Sequence, residues 1–282
     1  MLDLTVVIIS YNSGAVILKG LESTLKSDRF KTIVVDNSSS DDSVALLRNA
    51  YPSLLVQELS PNQGYGRAAN HAINMVTTQY VLLLNPDIVV TDDAIEAFFL
   101  ASTQANTEAD AIIAPATSPK DFTHTSSHAK DFVLGAAMLM NLPIIKTLGA
   151  FDENIFLFYE EKDLCLRAVN AGYGVKLDTN HFFHHDKGSS SGPSPIITYF
   201  KHWHIGWSSL YFYKKHGLNH GRKAGLGLLT RYFIKRWFSF SGVKRLKYKA
   251  RYQGVLACLI GREAFDQNGQ PQQQHLLRHI RV

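Results

Sequence analysis

An aspartate behind an apolar run is the first residue in this sequence that could do chemistry. Residues 80–90 read YVLLLNPDIVV. A short unbroken apolar run predicts a strand buried on both faces, and Pro86, which lacks an amide hydrogen, is expected to end it. Asp87 then lies at the carboxyl end of a buried strand, where ligands bind in open α/β sheets. A turn in which Asp87 only bonds nearby amides is the alternative, and this stretch does not decide between the two.

A cluster of three carboxylates follows a run of aromatic residues. The acids are Glu160, Glu161 and Asp163, and they stand behind the segment FLFY of residues 156–159. A helix that begins near Glu160 would hold these acids in its first turn, where the helix dipole stabilises negative charge. Ordinary capping also places acids there, whereas the aromatic row is typical of a pocket wall.

Three histidines, His181, His184 and His185, lie within five residues. They could form a metal site, because neutral imidazole binds divalent ions, or they could be partly buried polar residues of a loop. Their spacing is not that of a structural zinc site. The two cysteines, Cys165 and Cys258, suggest no disulfide framework, which fits a reducing cytosolic setting.

Apolar strands and helical patterns alternate in the part of the chain that must position these residues. Strands are predicted at residues 4–9, 32–35 and 54–59, with helices between them, and this order predicts parallel pairing with right-handed crossovers. Further strands are predicted at 111–114 and 175–178, a buried apolar run at 132–140, and helices at 92–105 and 141–149. Residues 117–131 are polar and are predicted to form a surface loop.

A glycine-containing loop, PNQGYGRAAN at residues 61–70, precedes another predicted helix. Gly64 and Gly66 allow a tight bend or a close approach to a ligand, and the helix N-terminus offers free amides to an anion. The loop lacks the third glycine and the acidic residue of a dinucleotide fingerprint, so NAD binding is excluded.

Charge is distributed unevenly along the 282 residues. The net charge is +5, but residues 200–282 alone contribute +14 and residues 1–199 contribute −9. Between residues 196 and 260 aromatic residues mix with cations, which is typical of amphipathic helices on an anionic membrane surface. A packed layer with a solvated basic face and a nucleic-acid surface are the alternatives, and we favour the membrane, with no nucleic acid as partner. No transmembrane helix and no signal peptide are predicted.

Six motifs taken together are similar to a known family. The motifs VVIISYNS, VVDNSS, PNQGYGRAAN, LLLNPDI, FDENIFLFYEEKDLCLRAVNAGY and HHDKGSS occur in this order between about residues 4 and 190. They resemble family 2 glycosyltransferases of the GT-A fold, most closely the bacterial rhamnosyltransferase branch. The resemblance implies an α/β fold, with a Rossmann-like, mostly parallel mixed sheet flanked by helices. We expect a catalytic domain at 1–195, a basic aromatic helical appendage at 196–265 and a loose tail at 266–282.

The resemblance also implies roles for individual residues. Asp36 matches the acid that binds the uracil or thymine ring of the donor. Asp87 matches the last acid of the DXD motif, which holds Mn²⁺ or Mg²⁺, and His184 or His185 matches a histidine that completes the metal shell. The residues implied in binding the nucleotide sugar are Ser10, Asn12, Asp36, Asn37, Gly64, Arg67, Asn70 and Asn85. The amide of Asn85 replaces a usual acid, which is a departure from the family pattern.

The implied reaction is an inverting sugar transfer. The general base matches Glu161, the second residue of the Glu160–Glu161 pair, with Asp163 as the reserve candidate. The donor is expected to be dTDP-rhamnose or otherwise a UDP-sugar, and the acceptor a saccharide or a lipid-linked saccharide of a bacterial surface polysaccharide. The expected location is the cytoplasm, at the inner face of the cell membrane.

Two other functions compete with this hypothesis. A nucleotidyltransferase would be expected to carry a glycine-rich loop with Lys or Arg directly after the first strand, and residues 10–13 read SYNS instead. A non-catalytic scaffold that binds carbohydrate or membrane is the second alternative, because a fold does not guarantee an activity.

Overall fold

The computed structural model describes residues 1–104, 109–123, 128–129, 132–186, 194–218 and 221–273. Contacts divide the chain into two compact units. The first contains Met1–Ser60, Arg67–Phe151 and Glu161–Ser191, and the second contains Pro61–Gly66, Asp152–Glu160 and Gly192–Val282. The second unit therefore combines the basic C-terminal region with two short segments from earlier in the sequence.

The described residues of the first unit form an eight-stranded mixed sheet. The strands are β1 Leu4–Ser10, β2 Lys31–Asp36, β3 Leu55–Glu58, β4 Tyr80–Leu84, β5 Ile88–Val89, β6 Asp110–Ala116, β7 His128–Ala129, β8 Ala137–Asn141, β9 Gly174–Phe182 and β10 His184–His185. The sheet order is β3-β2-β1-β4-β8-β6-β9-β7, and β5 pairs separately with β10. Strand β1 is parallel to β2 and β4, β2 to β3, and β6 to β9, whereas β8 is antiparallel to β4 and β6. The predicted α/β class with a mostly parallel mixed sheet is confirmed.

The helices match the predicted order, with two differences in detail. The helices are α1 Gly14–Gly20, α2 Glu22–Lys26, α3 Ser43–Ala50, α4 Tyr65–Met75, α5 Asp92–Gln104, α6 Leu142–Thr147, α7 Glu160–Asn170, α8 Pro195–Lys215, α9 Arg222–Trp237 and α10 Gly242–Leu259. The helical pattern after β1 divides into α1 and α2 at Leu21. The polar stretch predicted as a loop contains a 3₁₀ helix at Pro119–Thr123, and its residues 124–127 and 130–131 lie outside the described residues.

The core of the first unit explains why β1 and β4 lie at the centre of the sheet. All seven residues of β1 are buried, as are the last four of β4. A central parallel strand is covered on both faces, so it needs an unbroken apolar run instead of an alternating one. Each fully buried Leu or Ile side chain contributes about 1.5–3 kcal/mol. This rigid centre fixes the positions of the residues that follow each strand.

The described residues of the second unit include three long helices, α8, α9 and α10, and the predicted C-terminal helical region is confirmed. Helix α8 packs closely against α10: a Cβ added at Gly254 would lie 2.0 Å from the carbonyl oxygen of Trp203, so a side chain cannot fit there. Of the tail predicted to be loose, residues 274–282 lie outside the described residues, while Asp266 Oδ1 accepts hydrogen bonds from the amides of Asn268 and Gln270, both at 2.9 Å.

Within the described ranges, no helix combines the length and the apolar character that a membrane span requires.

Candidate active site

The ends of parallel strands bring the first group of candidate residues to one edge of the sheet. In the strand register Ser10 stands opposite Asp36, and Ile8 stands opposite Leu84, the last residue of β4. The chain order places β2 and β4 on opposite sides of β1, which makes this edge a topological switch point. Such a point forms a crevice beyond the carboxyl ends of the strands, where ligands bind.

Asp36 is a buried carboxylate held by the loop that follows it. Asp36 is 2% exposed. Oδ1 accepts a hydrogen bond of 2.8 Å from the amide of Ser39, and Oδ2 accepts one from the Ser39 hydroxyl. Each carboxylate oxygen has a second lone pair, so Asp36 keeps the capacity to accept from a ligand. Asn37 is also buried, and its amide donates to the carbonyl of Ser10 at 2.8 Å.

Asn12 ties the loop after β1 to the loop after β2. Its amide donates to Ser39 Oγ at 2.8 Å, and its side-chain Oδ1 accepts from the amide of Ser40 at 2.8 Å. Asn12 and Ser38 both have positive φ angles, 51° and 73°. Non-glycine residues held in this region carry strain and cluster at functional sites. Burial raises the pKa of the nearby Tyr11 hydroxyl, and the charges of Asp41 and Asp36 raise it further.

Asp87 contacts a histidine across two short strands. The carbonyl of Asn85 accepts from the amide of Ile88 at 3.2 Å, so the Asn-Pro-Asp segment is a turn. The Asp87 carboxylate is nevertheless directed to His185: Oδ1 lies 3.1 Å from Nε2. Both side chains are largely buried, at 8% and 14% exposure. The pairing of β5 with β10, in which His185 stands opposite Ile88, fixes this contact.

The three histidines predicted as a possible metal set have different surroundings. His184 is exposed, because adjacent residues of a strand point to opposite faces and His185 is directed to Asp87. His181 Nδ1 lies 2.6 Å from Asp178 Oδ2 on the same strand. In the described part of the chain, no group of three or more His, Cys, Asp and Glu side chains could hold a metal by itself.

Helix α7 begins at the predicted acids, after two residues in unusual conformations. Phe158 and Tyr159 have φ angles of 65° and 76°. Two consecutive bulky residues in the left-handed region are rare, and they set the direction in which the chain enters α7. Glu160 is buried and Glu161 is half-buried. This strain is a feature that sequence analysis missed, since no glycine or asparagine marks it.

Glu161 lies against a glycine in the first unit. A Cβ added at Gly135 would lie 3.4 Å from Glu161 Cβ, so the two residues lie side by side. Burial, with a smaller effect from Glu161, raises the pKa of the Cys165 thiol to about 12. Cys165 is therefore a neutral thiol and not a nucleophile.

Asp163 is fully buried and its carboxylate is engaged by an arginine. Arg167 Nε donates to Asp163 Oδ2 at 2.8 Å, one helical turn along α7. The same guanidinium donates to the carbonyl oxygens of Leu148 and Ala150. Arg167 and Asp163 thus join α7 to the segment that follows α6, which gives Asp163 a structural partner.

Structural contacts hold two residues of the glycine-containing loop, Asn70 and Gly64. Asn70 Nδ2 donates to the carbonyl of Phe151, and the amide of Phe151 donates to Asn70 Oδ1, both at 2.9 Å. In the second unit, Gly64 has a φ of +81°, and a Cβ there would lie 2.2 Å from the carbonyl oxygen of Phe156. Arg67 is half-buried in the first turn of α4. Asn70 and Gly64 therefore have structural roles that the sequence did not reveal.

A cavity of about 360 Å³ lies in the first unit. It is bounded by β6, β9, the 3₁₀ segment and residues 132–134, with Ala114, Pro115, Thr117, Asp121, Phe132, Val133, Leu134 and Leu177 as its lining. Lys162 Nζ lies 4.4 Å from the centre of the Phe132 ring. Helix α7, which carries Lys162 and Glu161, therefore contacts the wall of this cavity. No sequence pattern indicated this cavity, because its walls come from four separate segments.

Comparison with known proteins assigns the chain to a family. Residues 5–167 match the model for glycosyl transferase family 2, which is more than half of the chain. The protein therefore belongs to glycosyl transferase family 2.

Individual relatives are distant. The low-salt glycan biosynthesis hexosyltransferase Agl10 of Haloferax volcanii is 23% identical over 214 residues, which cover 64% of this chain and 67% of the relative. The mannosyltransferase PcManGT from Pyrobaculum calidifontis, solved in complex with GDP-Man and Mn²⁺, superposes with a TM-score of 0.61 at 13% identity, over 91% of this chain and 87% of that one. Residues 1–349 of S. aureus TarS with UDP-GlcNAc give a TM-score of 0.55 at 18% identity, over 92% and 81%. These structural similarities show the fold.

Proposed function

We propose that this glycosyltransferase moves a sugar from a pyrimidine nucleoside diphosphate, with inversion, in a metal-dependent reaction. L-Rhamnose from dTDP-rhamnose is the first choice of donor, and a UDP-sugar is the second. The observation that carries the proposal is the Asp87–His185 pair, which lies just beyond β4 at the edge where β1 and β2 end. Asp36 at the same edge is proposed to bind the base of the donor, and Glu161 on α7 is proposed to act as the general base.

Asp36 is the proposed contact to the base of the donor. Uracil and thymine have a ring N–H that can donate a hydrogen bond to a carboxylate. The bonded loop of Asn12, Ser39 and Ser40 holds the Asp36 carboxylate in place for this contact. A charge-assisted hydrogen bond in a buried setting is stronger than a neutral one. Ser10, Asn37, Arg67 and Asn85 are proposed to line the remainder of the donor site.

Asp87 and His185 are the proposed protein ligands of Mn²⁺ or Mg²⁺. Their facing atoms, a carboxylate oxygen and a ring nitrogen 3.1 Å apart, are donors that a single divalent ion can share. Two ligands suit an ion that also takes oxygens from a diphosphate. When bound, the ion would stabilise the charge that develops on the leaving diphosphate. PcManGT was solved with Mn²⁺, which supports this proposal.

Glu161 is the proposed general base. Its carboxylate takes the proton of the acceptor hydroxyl while the hydroxyl oxygen forms a bond to the anomeric carbon of the donor. The bond from that carbon to the diphosphate breaks, and its electron pair leaves with the nucleoside diphosphate. We favour Glu161 over Asp163, because Asp163 is fully buried and its carboxylate is bound by Arg167.

The acceptor is proposed to enter through the cavity beside residues 132–134. The exposed Phe132 and Leu134 offer apolar surface for a sugar face or a lipid linker, and Asp121 and Thr117 offer polar groups. A saccharide or a lipid-linked saccharide of a bacterial surface polysaccharide fits this mixed lining. With such an acceptor the enzyme would act in the cytoplasm at the inner face of the membrane.

A nucleotide screen by thermal shift tests the donor assignment. With Mn²⁺ present, dTDP- and UDP-compounds should raise the melting temperature and GDP-compounds should not. Ligand at a hundred times its Kd adds about 2.7 kcal/mol to the folded state, which is a shift of several degrees. Asp36→Asn should remove the shift, while Asp28→Asn, a matched change of an exposed aspartate, should retain it. A shift with GDP-compounds alone would contradict the role of Asp36.

A further inference from the structure

The end of the second unit where α9 meets α10 exposes an apolar surface that the proposed catalytic reaction does not use. We call this surface the aromatic tip, and it consists of Phe233, Ile234, Trp237, Phe238, Phe240 and Val243. Trp237 and Phe238 are 66% and 79% exposed, and Phe240 is fully exposed. Apolar side chains exposed singly are common, but a contiguous group of large ones marks an interaction surface.

The aromatic tip is supported by a well-packed base. Tyr232, which directly precedes Phe233, is buried in the core of the second unit, and its ring stacks on Tyr248 with 6.4 Å between ring centres. The turn between the helices is also bonded: Arg245 Nε donates to the carbonyl oxygen of Ser239 at 2.7 Å, and the Ser241 side chain caps α10. The exposed rings are therefore presented by an ordered hairpin.

Positive charge surrounds the aromatic tip. Lys235 and Arg236 precede Trp237, and Lys244 and Arg245 follow Val243, all four of them exposed. The sequence contains no Asp or Glu between Asp186 and Glu263. A second copy docked through the same surface would set these cations against each other, which is unfavourable. An anionic surface with an apolar interior meets both the charge and the exposed rings.

We propose that the aromatic tip inserts into the interface of a bilayer that contains anionic lipid, with the surrounding Lys and Arg side chains at the lipid headgroups. Trp and Phe favour this depth of a bilayer, and cations near it are attracted to anionic lipid. This inference rests on the proposed action at the inner face of the membrane. It identifies the aromatic tip as the surface that binds the membrane, and insertion into the bilayer interface as the mode of binding.

Tryptophan fluorescence reads insertion directly, because Trp237 is exposed while the other two tryptophans, Trp203 and Trp207, are 2% and 4% exposed. The full chain is mixed with vesicles of phosphatidylcholine, or of equimolar phosphatidylcholine and phosphatidylglycerol. The anionic vesicles should shift the emission to the blue, and brominated lipid should quench it. Trp237→Phe should retain flotation with the vesicles and lose most of the shift. Flotation without any shift or quenching would show surface adsorption and would overturn insertion.

Vesicle flotation of variants tests which surface binds. Replacing Trp237, Phe238 and Phe240 together by Ser should lower the partition coefficient about tenfold or more, since interfacial binding scales with buried apolar area. The matched control replaces Leu55 and Leu100, exposed apolar residues of the first unit, by Ser and should bind as the parent does. Binding should weaken as salt increases. Binding of the triple variant equal to that of the parent would overturn the proposal. A salt-independent dimer of the parent chain that the triple substitution abolishes would also overturn it, because the surface would then bind a second copy.

The vesicle experiments contain no nucleotide sugar, so their result is independent of catalysis. Metal-dependent turnover of a donor together with absent vesicle binding would refute the membrane inference alone. Vesicle binding together with absent turnover would support the inference and contradict the proposed reaction.

Discussion

Glu161→Gln is expected to lower the rate of sugar transfer by about 10²–10⁴-fold, the range that a general base contributes. The amide is similar in shape to the carboxylate but cannot take the proton of the acceptor hydroxyl. Glu161 lies beside Gly135, at the start of a helix whose position Arg167 fixes, so the substitution should leave the fold intact. Steady-state transfer gives kcat, and the thermal shift with nucleotide gives donor binding, which should be nearly unchanged.

The control for this prediction is Glu263→Gln, the same chemical change at an exposed position of the second unit. It should transfer sugar at the parental rate. Asp163→Asn should behave differently from Glu161→Gln, because loss of the buried contact to Arg167 lowers the melting temperature. If Glu161→Gln turned over normally while Asp163→Asn was folded and inactive, the base would be Asp163.

Asp87→Ala is expected to lower kcat/KM by about a hundredfold or more, because a bound divalent ion supplies several kcal/mol of charge stabilisation and each 1.36 kcal/mol is tenfold in rate. The residual activity should respond only weakly to added Mn²⁺. His185→Ala should also lower kcat/KM, but by a smaller factor, since the Asp87 ligand remains. Activity measured across a series of Mn²⁺ concentrations reports both changes.

His184→Ala is the matched control for His185→Ala. The two histidines are adjacent in β10, but His184 is exposed and His185 faces Asp87. The exposed position should therefore tolerate alanine with the Mn²⁺ response unchanged. Equal loss in both variants would mean that β10 as a whole matters, and parental activity in Asp87→Ala would remove the metal role from Asp87.

The central half of the sheet could be read from the sequence because its strands are buried on both faces. Such strands are continuous apolar runs, and each run ends at a polar residue that proved to lie at the carboxyl edge, such as Ser10 and Asp36. The alternation of strands and helices then determined parallel pairing. The antiparallel strand β8 was predicted only as a buried run, because apolar periodicity does not distinguish a short strand from a buried helix.

The site was less predictable where it depends on contacts between distant segments. The sequence could not distinguish His184 from His185, since only the pairing of β10 with β5 determines which ring faces Asp87. The bonds between the Asn70 side chain and the backbone of Phe151, 81 residues away, were not predicted, and they add a structural role to the proposed contact with the donor. The left-handed Phe158 and Tyr159 carry no residue-type signal, so the strained entry to α7 required the structure.

The most direct test of the central claim follows donor turnover by NMR. The full chain is incubated with dTDP-rhamnose or a UDP-sugar, with Mn²⁺ or with a chelator. The anomeric proton of the initially formed product is recorded, whether the sugar is transferred to water or to an acceptor. We predict metal-dependent release of the nucleoside diphosphate and a first product whose anomeric configuration is opposite to that of the donor. A product with the configuration retained would contradict the inverting mechanism, and absence of any turnover across dTDP-, UDP- and GDP-sugars would indicate a non-catalytic binding protein.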